Sequence, residues 1–233
     1  MCCRYALRRR DLARAAEKLR ARLAREADDH FNIPPGRAIP ALRTGTAGRE
    51  VAWLHWGLVP HWAPNSESFG TRLANARAES LAAKPSFRDA LQTRRCVIPA
   101  TGFYEWETRH DSGQPWYFHA PQDEPLYFAG LWEIWAAPDG ALLESCTLIT
   151  TAPNALMRPI HDRMPALLSA DTCETWLDPR ILQPETVVRI LQPAPDNALH
   201  AHRVGVRVNR LAHDDVACLA EVAPPAEQLG LGL

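Results

Sequence analysis

The residues most suited to covalent chemistry stand at the start of the chain, in Met1-Cys2-Cys3-Arg4-Tyr5. Loss of Met1 exposes Cys2 as a residue carrying a free α-amine and a thiol on neighbouring carbons. An α-amine with a pKa near ~7.8 is roughly 14% neutral at pH 7, whereas a lysine near ~10.4 is about 0.04% neutral. Such an N-terminus is therefore a ready nucleophile toward a carbonyl carbon. Five further segments place polar residues where a core would not want them. They are Phe31-Asn32-Ile33-Pro34-Pro35, Trp56-Gly57-Leu58-Val59-Pro60-His61-Trp62, Asn75-Ala76-Arg77-Ala78-Glu79, Gly102-Phe103-Tyr104-Glu105-Trp106 and His161-Asp162-Arg163-Met164-Pro165. Singly, each is compatible with an ordinary strand end or turn.

Composition narrows the class. The 233 residues are 46% apolar and 23% charged, as in an ordinary globular protein. The net charge of −1 means that any binding of nucleic acid must rest on local clusters of arginine. No apolar run is long enough to span a bilayer, and the opening MCCRYALRRR lacks a signal-peptide layout; a cytoplasmic protein without membrane contact is expected. Cys96, Cys146, Cys173 and Cys218 form no Cys-x-x-Cys pair or zinc-finger spacing, so they read as buried thiols, with no metal or other cofactor implied.

The elements that must position these segments read as mainly β. Strands are predicted at Ala38–Arg43, Val51–Trp56, Arg95–Pro99, Phe103–Thr108, Trp116–His119, Tyr127–Trp135 and Cys146–Thr151, with a further one at Val204–Leu211. Leu12, Leu19 and Leu23 recur at helical spacing and predict a helix over residues 11–27. Its N-cap would be Asp11, and its basic face would carry Arg14, Lys18, Arg22 and Arg25. Shorter helices are expected at Ser86–Thr93, Asn154–Met157, Ala170–Leu177 (capped by Ser169) and Pro184–Leu191. Strands outnumber helices without alternating with them, which gives an α+β fold rather than a doubly wound one. A single domain over residues 1–219 is expected, followed by a loose Pro- and Ala-rich tail over 220–233.

Together, in type and order, the six segments resemble the SRAP proteins (SOS response-associated peptidase domain, or abasic-site processing proteins), from Met1 to about Leu211. The resemblance implies a single α+β domain with a barrel-like mixed or antiparallel β core. It implies that Cys2 is the nucleophile, that Asn75 positions it, that Glu105 is the acid/base carboxylate and that His161 is the active-site histidine. Arg4, Arg77 and Arg163 resemble positions lining a DNA groove. Trp62 suits stacking on a base; Arg72, Arg88 and Arg158 are weaker phosphate candidates.

The implied substrate is an abasic site in single-stranded DNA, bound by a monomer that joins the nucleoid when on DNA. Two rival functions remain: a thiol peptidase acting mainly on its own Met1, and a reader that binds single-stranded or modified DNA without a covalent step. One departure stands out. Position 3, glycine in the family, is Cys3, which adds a second thiol and removes the backbone freedom of glycine.

Overall fold

β-branched and aromatic residues alternate along the middle of the chain, and the strands they form have two buried faces. In the computed structural model, which describes residues 3–107 and 113–224, five of them close on one another. These are β3 (Ala38–Gly45), β4 (Gly48–Trp56), β6 (Arg95–Ala100), β9 (Leu126–Ala136) and β10 (Leu142–Thr151). The ring runs β10-β4-β3-β6-β9 and returns to β10. Its pairings are antiparallel except for the parallel β10–β4 pair. Closure leaves these strands no open edge.

Alternate residues then serve two cores. Ile39, Leu54, Trp56, Ile98, Phe128 and Leu148 pack into one. Leu42, Val97, Leu131 and Ile149 face the other, under α2 (Pro85–Thr93) and α3 (Ala170–Leu177). Ser169 caps α3 as its sequence requires, in a reciprocal pair of bonds with Thr172.

A second, antiparallel sheet packs against the barrel in the order β12-β8-β7-β1-β2. It contains β1 (Tyr5–Leu7), β2 (His30–Ile33), β7 (Gly102–Trp106), β8 (Pro115–His119) and β12 (His200–Arg203). Two short strands, β5 (Asn75–Arg77) and β11 (Met164–Pro165), attach to β10. The fold is thus α+β with a mixed barrel core, as expected.

Several local expectations are corrected. The first helix, α1 (Arg9–Lys18), stops far short of residue 27. Arg20 takes a left-handed φ of 53°, and the Arg22 N–H then bonds to the Arg49 carbonyl beside β4. Asp11 does not cap this helix. It lies inside it, fully buried, accepting from the Arg8 guanidinium and the Thr101 hydroxyl, while Arg8 holds the cap position. Of the basic face, Arg14 pairs with Glu124, Arg22 with Glu50, and Arg25 lies over the Trp53 ring at 4.7 Å.

Residues 154–157 form turns rather than a helix, and the expected helix at 184–191 is shortened to α4 (Pro184–Val188). The expected strand at 204–211 is displaced to β12, and residues Val206–Asn209 make a short 3-10 turn. Thr108 lies outside the described residues, as do 225–233 of the expected tail; before them, Glu221 bridges to Val204.

Gly57 illustrates how backbone freedom is spent near the site. Its φ is +146°, and a Cβ there would sit 2.7 Å from the Gly70 carbonyl oxygen. Both ends of the loop carrying Trp62 depend on that approach. Gly57→Ala is expected to cost about 2–3 kcal/mol through overpacking and backbone strain. A lowered urea midpoint at unchanged slope checks this.

Candidate active site

β1 delivers the start of the chain to the rest of the site. Its register against β7, with Tyr5 opposite Phe103 and Ala6 opposite Gly102, sets Cys3 opposite Glu105 when continued. Cys2 and Met1 lie outside the described residues. Cys3 is exposed, and its thiol receives a long hydrogen bond from the Asn75 Nδ2 at 3.8 Å. Partial burial raises its pKa, and the nearby Glu105 adds to the rise. Asn75 begins β5 and is held there by parallel pairing with Leu148 of β10.

Glu105 is 2% exposed, on a strand whose flanking aromatics and β-sheet neighbours exclude water. Burial pushes its pKa from 4.5 up to about 8, so the carboxyl is largely protonated at neutral pH. Its Oε2 lies 3.9 Å from the His161 Nε2. His161 is carried by the turn between β10 and β11, and its Nδ1 accepts the Arg163 backbone N–H at 3.0 Å. Asp162 Oδ1 also lies 3.1 Å from that Nδ1, a contact that would need the proton there. The backbone donor is fixed and Asp162 is 84% exposed, so the neutral ring keeps its proton on Nε2, facing Glu105. Burial lowers the His161 pKa, which favours that neutral form.

The arginines divide by partner. Arg163 is clamped: both of its terminal nitrogens reach the Glu79 carboxylate at 2.9 Å, and one also donates to the Thr150 carbonyl. Arg4 donates to the Asn32 Oδ1 and the Val208 carbonyl, and its guanidinium lies 5.5 Å from the Trp106 ring. Arg77, at the end of β5, is exposed beside Asn75. Trp62 is 47% exposed and edge-on to Phe69 at 5.3 Å.

Sequence reasoning gave no role to Asn32, although it singled out the segment. The structure makes it a hub: its amide donates to the carbonyls of Val208, Arg210 and His213 while its oxygen accepts from Arg4. A buried polar residue between Phe31 and Ile33 on a strand was the available signal. Among the described residues no group of three or more His, Cys, Asp or Glu side chains is arranged to hold a metal ion, and no helix is long and apolar enough to cross a membrane.

Comparison with known proteins follows the same residues. A family model described as "SOS response associated peptidase (SRAP)" matches residues 1–211. The chain belongs to the SRAP family. Among SRAP relatives, the "Abasic site processing protein YoqW" of Bacillus subtilis is 39% identical over 180 residues, 77% of this chain and 80% of that one. The "Abasic site processing protein HMCES" of Xenopus tropicalis is 30% identical over 196 residues, 75% of this chain and 58% of that one. A crystal structure of a Bacteroides thetaiotaomicron protein shares the fold, with a TM-score of 0.86 at 23% identity, covering 95% of this chain and 100% of that one. A phage-related protein from Bordetella bronchiseptica gives a TM-score of 0.67 at 31% identity, over 87% and 94% of the two chains.

Burial of Glu105 has a stability consequence. Its folded pKa of about 8 lies above the ordinary 4.5, so the folded state keeps a proton that the unfolded chain loses. Stability from this group is complete below pH 4.5 and falls as pH rises toward about 8. At ~1.4 kcal/mol per pKa unit the loss is of the order of a few kcal/mol. Glu105→Gln, neutral throughout, should therefore gain on the native protein as pH rises; urea unfolding at pH 5 and pH 9 measures the widening gap.

Proposed function

We propose that the protein captures the aldehyde of an abasic site in single-stranded DNA covalently, through Cys2 freed of Met1. The observation that carries this reading is the buried, protonated Glu105 facing the Nε2 of a neutral His161, with Cys3 and Asn75 meeting at 3.8 Å beside them. That is an acid and a hydrogen-bonding frame set around the start of the chain. The names of the relatives, abasic site processing proteins, support the substrate.

In this reading the neutral α-amine adds to C1′ of the ring-opened deoxyribose, and Glu105 protonates the departing hydroxyl, so that the carbinolamine loses one water and becomes an imine. The Cys2 sulfur then adds to C1′. An S–C bond forms, the thiol proton passes to nitrogen, and a five-membered thiazolidine results. Closing that ring within one residue corresponds to effective molarities of about 10⁵ M or more. It also removes the imine that would otherwise promote β-elimination and strand scission.

Asn75 hydrogen-bonds amine or sulfur without adding charge. His161 presents a neutral N–H to Glu105 and moves a proton during formation or reversal. Arg77 and Arg4 hold phosphates, Arg163 lines the groove and, paired with Glu79, secures the His161 turn, and Trp62 stacks on a neighbouring base. An unpaired lesion enters without the cost of opening a duplex.

Mixing the mature protein with a single-stranded oligonucleotide bearing one abasic site, followed by a denaturing gel, tests the proposal. A shifted band that survives heating in detergent is expected. Reversible binding in native gels with no band on the denaturing gel would leave only a DNA reader.

A further inference from the structure

The row of side chains that begins at the capture site continues across the second sheet. Residues directly opposite one another in antiparallel strands point to the same face. Cys3 stands opposite Glu105 when the β1–β7 register is continued. Glu105 stands opposite Trp116 of β8, and Trp116 opposite Arg203 of β12. Two residues along each strand, the same face carries Tyr5, Phe103, Phe118 and Ala201, all in or against the core beneath the sheet. The row from Cys3 to Arg203 therefore runs along the rim of that core.

Arg203 is the cation of this row. β12 is the end strand of its sheet, and two inter-strand spacings of ~4.8 Å set its backbone about 10 Å from that of Glu105. Arg203 and Trp116 are both partly exposed, and the guanidinium carbon lies 5.2 Å from the centre of the Trp116 ring. Stacking holds one face of the guanidinium against a rigid surface and leaves the N–H groups, which lie in its plane, able to donate. Arg43, Arg163 and Arg207 place their charge on carboxylates. Arg203 makes no ion pair among the described residues. In a chain of net charge −1, a permanently charged and pre-oriented fork of donors without a carboxylate is suited to an incoming anion.

We propose that Arg203, steadied by Trp116, binds a phosphate of the DNA strand on one side of the lesion, so that the strand leaves the capture site across β7, β8 and β12. This rests on the DNA substrate proposed above, but not on the covalent step. A phosphate carries no base identity, so Arg203 holds the strand in register whatever its sequence.

Reversible binding to oligonucleotides that carry tetrahydrofuran in place of the abasic sugar tests the assignment. That ring has no oxygen on C1′ and cannot be captured, so a failure of covalent capture leaves the result untouched. One oligonucleotide extends only to the 5′ side of the tetrahydrofuran, and another only to the 3′ side. Arg203→Ala is expected to weaken one of them by about three- to tenfold and to leave the other within about twofold. For the weakened one, log affinity against log salt should lose about 0.7 in slope, the share of one phosphate on a single strand. Arg203→Lys, which keeps the charge, should retain the native slope.

The loss should also be the same with thymine or adenine beside the tetrahydrofuran. Equal losses on both sides, an unchanged slope in Arg203→Ala, or a loss that depends on the flanking base overturns the proposal. Arg203→Gln, which keeps a stem over Trp116, takes the place of the alanine variant should the latter lower the urea midpoint. Native protein that binds neither oligonucleotide refutes the DNA substrate itself, and this assignment with it.

Discussion

Cys2→Ser is expected to abolish the heat-stable adduct while leaving an imine that borohydride can trap. The serine chain keeps the α-amine and nearly the same shape, so it still condenses with the aldehyde. It lacks a sulfur able to close the ring under these conditions. The ring closure that is lost corresponds to effective molarities of about 10⁵ M, or roughly 7 kcal/mol, enough to convert an adduct that persists into one that hydrolyses on denaturation. Comparing denaturing gels with and without borohydride separates the two steps. A heat-stable band from Cys2→Ser without reductant contradicts the aminothiol chemistry. A chain retaining Met1 should behave similarly, since its α-amine no longer has a thiol two carbons away.

Glu105→Gln is expected to slow adduct formation by about 10²–10⁴-fold, the usual range for a general acid, and to change the shape of the pH profile. The native protein needs a neutral amine, favoured above a pKa of ~7.8, and a protonated Glu105, favoured below about 8. The native rate should therefore pass through a maximum near those values and fall on the alkaline side as Glu105 ionises. The glutamine variant loses the alkaline limb and keeps only the rise of the amine. Single-turnover rates from pH 6 to pH 10 distinguish these curves; equal rates for both proteins at all pH values remove the acid role. The same burial argues against the thiol-peptidase reading, which calls for a thiolate stabilised by an imidazolium. Here His161 is held neutral and Glu105 protonated, an arrangement suited to proton donation.

The parts of this fold legible in the sequence are those whose pattern is local. The long strands β9 and β10 carry their own β-branched and aromatic runs, and α3 carries a Ser169 cap and a periodic buried face. β1, β2 and β5 span only three or four residues, too few to show a period, and they exist because distant strands pair with them. The early end of α1 was also hidden: Arg20 adopts a left-handed backbone in a stretch whose leucines still keep helical spacing.

The candidate site divides in the same way. Residue types in Asn75-Ala76-Arg77, Gly102-Phe103-Tyr104-Glu105 and His161-Asp162-Arg163 were readable as motifs. Their distances were not, because the register of β1 against β7 and of β5 against β10 sets them. The Arg163–Glu79 clamp and the bonding of Asp11 inside the protein depend on contacts between remote segments, and no spacing in the chain announces them.

Intact-mass spectrometry of the denatured conjugate is the most direct test of the claim that a freed Cys2 seizes the lesion. The account requires a single species weighing the chain without its initiator methionine plus the oligonucleotide, less one water, with peptide mapping placing the DNA remnant on Cys2. Uncombined protein and DNA as the only species, or a remnant attached to a lysine of a chain still bearing Met1, would contradict it.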